Sequence, residues 1–218
     1  MEKVMKITGR GRAIYTPDTT VISLSFESIT DEYEEAVKKS AEDVMKIKEM
    51  LSTLNISVSQ LKTTQYSVNT YYVSYKDQNN NYKQRFAGYK YSQSLRFSFK
   101  NDNKLLGKVL YKLSKLDNNP KFDISFEVSD TENAKNILLK NAIKDAMNKA
   151  KIISEASNVK LGEIITIDYS FMDINFRRSS RMEMITYDCM CASEGFDIDI
   201  EPEDINVEDN VTITYSIA

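Results

Sequence analysis

Met182, Met184, Cys189, Met190 and Cys191 crowd sulfur into one short stretch, and soft thiolates and thioethers select Cu(I) over harder ions. Against a metal site, Met is a common filler of core gaps and a free Cys is commonly buried. Cysteines separated by a single residue also suit an intrachain disulfide poorly. Asp197, Asp199 and Glu201 alternate as calcium ligands do, but Pro202 stands where a calcium loop needs glycine, and no bidentate acid closes the loop. With Ile198 and Ile200 between them, they fit an edge strand with a charged outer face. Gly9-Arg10-Gly11 lacks the third glycine and following helix of a dinucleotide fingerprint, and the Gly-Lys-Ser/Thr of a phosphate loop. A strand bulge or tight packing is the expectation there.

The chain has no histidine. That absence removes Ser-His-Asp and Cys-His nucleophilic sites, His-ligated zinc and the commonest general base near neutral pH. Acids are plentiful, yet nothing marks a pair or a cleft, and solvated carboxylates are the default. No catalytic residue, metal ligand or cofactor is assigned, and the chain is expected not to be an enzyme.

The most suggestive side chains are tyrosines. Tyr66, Tyr71, Tyr72, Tyr75, Tyr82, Tyr89 and Tyr91 fall in one segment of alternating strand pattern. Cross-strand aromatic pairing explains some of them. They fall on both faces, however, which an isolated hairpin cannot bury, and aromatic residues are enriched at protein–protein interfaces. This sets internal packing against an interface for a second copy or another protein.

The elements that position these residues follow from periodicity. Ile22, Leu24 and Phe26 alternate with polar residues as in a half-buried strand, and Pro17-Asp18 marks a turn before it. Over residues 31–54, Tyr33, Val37, Ala41, Val44, Ile47, Leu51 and Leu54 form a helical stripe, with Asp31 as N-cap and Asn55 as stop. Residues 61–76 and 82–100 make a long hairpin around the polar tip Asp77-Gln78-Asn79-Asn80-Asn81, which should project or curl. A helix over 102–117 capped by Asp102, a strand through Phe122–Val128, and a helix to about residue 158 opened by a Ser129/Glu132 capping box come next. In that last helix Ala134, Leu138, Ala142, Ala146 and Ala150 recur every four residues, which predicts close approach to a sheet or helix. Strands over 163–171, with Ile165, Ile167, Tyr169 and Phe171 on one face, and over 211–217 complete the order ββαββαβαββ. Hairpins and single helical crossings predict an α+β fold: an antiparallel or mixed sheet with long helices on one face and a long projecting β-hairpin.

The ordered landmarks resemble the SIMPL domain, also known as domain of unknown function 541. They are Gly9-Arg10-Gly11 with Pro17-Asp18, Thr63 to Val68, Gly88 to Leu95, Ile124 to Asp130, Ala142 to Ala150, Leu161 to Ile164, and Ile200 to Val207 running into Val211 to Tyr215. The resemblance covers nearly the whole chain as one SIMPL-like domain, 1–218. It implies an α+β fold with no established catalytic residues, and many members are exported, envelope-associated and oligomeric. The chain departs from the pattern in lacking an apolar leader and in having Glu203 where glycine is common.

A net charge of −3 and a pI near 5.3 argue against a phosphate-neutralising face, so no nucleic acid is expected. No stretch reaches the roughly 18 apolar residues of a membrane span. The N-terminus as given implies a cytoplasmic setting, with export to the cell envelope as the alternative. The functional expectation is a non-enzymatic interaction protein that self-assembles through the hairpin. The alternative is a small-ligand or soft-metal module using the cluster near 182–191.

Overall fold

The computed structural model describes residues 3–118, 120–169, 174–180 and 200–218. Its elements in chain order are β1 (Val4–Tyr15), β2 (Thr19–Thr30), α1 (Tyr33–Thr53), a short 3₁₀ turn (Val58–Gln60), β3 (Lys62–Lys76), β4 (Tyr82–Lys100), α2 (Asn103–Ser114), β5 (Lys121–Glu127), α3 (Thr131–Ala156), β6 (Leu161–Asp168), β7 (Arg177–Ser180) and β8 (Ile205–Ile217). The fold is α+β as expected, but the strands form two sheets, ordered β1-β8-β6 and β3-β4-β2-β5-β7. Periodicity shows that a strand exists; it does not show that the first strand takes the last as its partner. The chain divides into two compact units, Met1–Asp18 with Glu127–Arg178 and Pro202–Ala218, and Thr19–Phe126 with Ser179–Glu201.

In the first unit β1 and β8 pair antiparallel without a slip, from Val4↔Ser216 to Tyr15↔Ile205. Met5, Ile7, Val211, Ile213 and Tyr215 turn one face toward Ala142, Ala146 and Ala150 of α3. The approach is close because both surfaces are bare. A Cβ at Gly9 would collide with the Ala142 carbonyl oxygen, and one at Gly11 with that of Leu138. The expectation of tight packing at Gly9-x-Gly11 therefore holds.

The capping box does not. Asp130 caps α3 by accepting from the Asn133 amide at 3.0 Å. Ser129 instead donates its amide and hydroxyl to Asp18, at 2.9 and 2.6 Å, pinning the turn after Pro17. A serine followed by Glu132 satisfied the pattern, but a nearer aspartate competed for the cap.

The strand expected over 163–171 is found as β6, on the sheet's outer edge, and it is exposed from Gly162 to Asp168; Phe171 lies outside the described residues. Because α3 packs on β1 and β8, it leaves Ile164, Ile165 and Ile167 in the open.

In the second unit α1 and α2 cover the face that carries Ile22, Leu24 and Phe26 of β2 and Leu95 and Phe97 of β4. Asp102 caps α2 as expected, accepting from the Lys104 and Leu105 amides. Asn55 ends α1 in the left-handed region at φ 57. The N-cap of α1 is Glu32, one residue later than expected, and it makes no side-chain cap bond.

The buried face of α1 also differs from the expected stripe. Ala36, Ser40, Asp43, Ile47, Met50 and Leu51 point inward, while Tyr33 and Val37 are exposed. Two polar residues replace apolar ones because each finds a partner inside. The Tyr91 hydroxyl donates to Asp43, and the Ser40 hydroxyl donates to the Val37 carbonyl at 2.7 Å while lying 3.2 Å from the Tyr66 hydroxyl.

The long hairpin is present and its outer half does project. β2 pairs with β4 only from Lys100 back to Tyr89, whose partner is Thr30. Residues 82–86 of β4 pair, among the described residues, with β3 alone.

Candidate functional site

The free half of the hairpin, residues 71–88, begins at a β-bulge. Thr70 pairs with Tyr89, but the next pair is Tyr72 with Phe86, so Ala87 and Gly88 together face Tyr71. Gly88 has φ +116, and a Cβ there would meet the Thr30 carbonyl oxygen where β2 ends. At the tip, Asp77 accepts from the Asn79 and Asn81 amides at 2.9 and 3.0 Å and pairs with Lys83 at 3.0 Å. The Lys83 contact, then these amides, hold the Asp77 carboxyl below its ordinary range. Asn80 sits at φ 63, a conformation asparagine tolerates in turns.

The bulge changes which rings meet. Strict alternation puts Phe86 and Tyr89 on opposite faces; the extra residue brings them onto one. Four rings then run in series from the start of α1 along the arm. Tyr33 meets Tyr89 at 5.7 Å, Tyr89 meets Phe86 at 5.3 Å, and Phe86 meets Tyr72 at 5.9 Å, all edge to face. Farther out the Lys76 ammonium lies 5.1 Å from the centre of the Tyr82 ring. By alternation Tyr71, Val73 and Tyr75 fall on the other face, with Tyr75 opposite Lys83 and Val73 opposite Arg85.

The structure thus sorts the seven tyrosines. Tyr72, Tyr75 and Tyr82 lie exposed on the arm, Tyr82 at 76 %, while Tyr71 and Tyr89 are half-buried. Tyr66 leans over α1 at Ser40. Tyr91 does not belong with them: it is 1 % exposed in the core, bonded to Asp43. Its place on a surface is corrected by that bond, since its hydroxyl is satisfied from within. Phe86 and Tyr33 are the rings that sequence reading missed. The signal for Phe86 was Gly88, a glycine inside a strand pattern; Tyr33 was hidden by its fit to an apolar stripe.

Burial, then the hydrogen bond to Asp43, pushes the Tyr91 phenol well above its ordinary value, so it stays protonated and closed off from substrate. Glu27 bridges Lys90 at 2.8 Å and Lys121 at 3.4 Å, and the Lys90 contact is the main reason its carboxyl is lowered. An open groove of about 400 Å³ is lined by Arg10, Arg12, Asp145 and Lys149. Its charges have partners: Glu208 takes Arg12 at 2.8 Å and Arg10 at 3.8 Å, and Lys149 pairs with Asp145 at 2.6 Å.

Among the described residues no cluster of His, Cys, Asp or Glu could hold a metal ion, and no helix is long and apolar enough to cross a membrane. Met182, Met184, Cys189, Met190 and Cys191 lie outside the described residues, as do Asp197 and Asp199. Glu201 is exposed.

What the fold defines is an α+β protein whose most distinctive surface is an aromatic hairpin arm. Comparison with known families makes this specific: the chain belongs to the SIMPL family of proteins of unknown function (DUF541), whose profile matches residues 5–215. It is also similar to the 26 kDa periplasmic immunogenic protein of Brucella melitensis biotype 1, at 26 % identity over 161 residues, 74 % of this chain. The protein of the same name from Brucella abortus strain S19 matches to the same extent. The matched stretch spans 64 % of the length of each relative.

Proposed function

We propose that this is a non-enzymatic interaction protein that self-associates through residues 71–88 of its hairpin, and that residues 1–218 act as one SIMPL-like domain. One observation supports this most. Tyr72, Tyr75, Tyr82 and Phe86 are all exposed, on the outer stretch of β3 and β4 where, among the described residues, the two strands pair only with each other. Rings of this kind offer large contact area at low entropic cost, and Tyr and Phe are enriched at the centres of interfaces. Lys76, Lys83 and Arg85 give the arm a polar rim.

We further propose an exported or envelope setting, because the relatives named above are described as periplasmic. The cytoplasmic setting expected from the N-terminus draws no support from them.

The test is the mass in solution, by size exclusion with light scattering over a range of concentrations. The wild type should exceed 25.0 kDa, and Tyr72→Ser combined with Phe86→Ser should lower the mass while the far-UV circular dichroism stays native. A variant with unchanged mass would refute the arm as the interface.

A further inference from the structure

The two edges of the β1-β8-β6 sheet are finished differently. Along β1, side chains four residues apart on α3 occupy the outward backbone groups. Lys149 donates to the Thr8 carbonyl at 3.3 Å, Asp145 accepts from the Arg10 amide at 2.7 Å, and Asn141 donates to the Arg12 carbonyl at 3.4 Å. The edge that could recruit another strand is thereby closed by a helix.

At the other edge, β6 pairs only with β8, and among the described residues nothing bonds to its outer side. Its sequence, Leu-Gly-Glu-Ile-Ile-Thr-Ile-Asp, contains no lysine and no proline, the usual blocking residues. Its register shifts against β8, between Leu161 and Thr166, are taken up on the inner side, where the Ser216 hydroxyl accepts from the Glu163 amide at 3.0 Å. Ile164, Ile165 and Ile167 are 47 %, 47 % and 54 % exposed. An open apolar edge of this kind is a template for strand addition.

The strand's charges choose the partner. Lys160 precedes it and Asp168 ends it, and both are exposed. An antiparallel pairing centred on Ile164 sets Ile164 opposite its own copy and Lys160 opposite Asp168 at both ends. The same register sets Leu161 opposite Ile167. Parallel pairing would set like charges side by side.

We propose that β6 joins two copies of this chain by antiparallel β6–β6 pairing, merging their three-stranded sheets into one. This edge lies in the other compact unit from the hairpin, so the inference stands apart from the hairpin reading. A chain with both surfaces would assemble beyond a dimer.

The charges provide the test, in the Tyr72→Ser/Phe86→Ser background so that the arm contributes nothing. That protein should be a dimer, twice 25.0 kDa. Lys160→Asp and Asp168→Lys should each weaken the dimer roughly tenfold, because both symmetric ion pairs become repulsions. The double swap should restore it. As a second readout, Ile164→Cys in a Cys189→Ser/Cys191→Ser chain should oxidise to a covalent dimer, since facing residues of an antiparallel pair lie within disulfide reach. Ile14→Cys, exposed on the closed β1 strand, should not. A monomer at every concentration, a dimer indifferent to both charge changes, or an edge that binds only a foreign extended peptide overturns the proposal. If the hairpin substitutions leave the wild-type mass unchanged while the charge swap controls it, the hairpin reading falls and this one remains.

Discussion

The contact of α3 with β1 and the hairpin arm are opposite solutions to packing. At the first, glycine faces alanine and there is no side chain left to shorten. Gly9 and Gly11 let the strand backbone lie against the helix backbone at Leu138, Ala142 and Ala146. On the arm, large rings touch at their edges and leave much of their area in solvent. The first surface is complete within the chain, so its residues are fixed by packing. The second makes few internal demands on its rings, which leaves them available to a partner.

Adding atoms to the first surface should have the largest effect. Gly11→Ala places a methyl where the Leu138 carbonyl oxygen already stands, so α3 must move off the sheet. We expect a loss of about 3 kcal/mol or more, near a 10 °C fall in Tm for a chain of this size. Thermal unfolding by circular dichroism reads it. A Tm within a degree of wild type would mean that α3 can shift freely, and the contrast with the arm would be lost.

A middle case lies beneath the arm, where Tyr91 donates to buried Asp43. Tyr91→Phe keeps the ring but leaves the carboxylate without its donor, and should cost about 2 kcal/mol. The pH dependence has a definite sign. The Tyr91 pKa is raised in the fold, so the unfolded chain releases that proton first as pH climbs past the ordinary phenol value of 10.0. The stability it contributes is whole below that value and is lost above it. Urea unfolding at about pH 9 and about pH 11 should show a decline that is shallower in Tyr91→Phe. Some slope persists, because Tyr15, Tyr169 and Tyr215 are also raised, chiefly by burial. Equal slopes in wild type and variant would show that Tyr91 is not held in its protonated form by the fold.

These residues also show what a sequence can tell. The alanine stripe of α3 and the Gly9-x-Gly11 surface were legible, because small side chains at a fixed period have few explanations other than close approach. The hairpin and its polar tip were legible from alternation and from the run Asp77 to Asn81. The inner face of α1 was not. Ser40 and Asp43 look like surface residues until Tyr66 and Tyr91, dozens of positions away, supply partners. β6 was legible as a strand, but its exposure was not: Ile164, Ile165 and Ile167 are apolar and still exposed, because burial depends on where α3 lies, and α3 lies toward β1. The arm's aromatic series needed the bulge at Gly88, which rephases the strand without altering its composition.

The smallest effect on stability belongs to the arm itself. Tyr72→Ala deletes a whole ring and its edge-to-face contact with Phe86, a far larger chemical change than the single methyl of Gly11→Ala. Such a pair contributes about 0.5–1.5 kcal/mol beyond burial, and Tyr72 is already half exposed at 52 %, so the loss should lie near the lower bound. Thermal unfolding of dilute protein isolates this term, because any oligomer would add its own concentration-dependent stability. A small change in Tm when dilute, together with a lower mass when concentrated, is what a surface kept for a partner must show. A fall in Tm as large as that of Gly11→Ala would instead make the rings part of the fold's own support, and the arm would have no area to spare for a second copy.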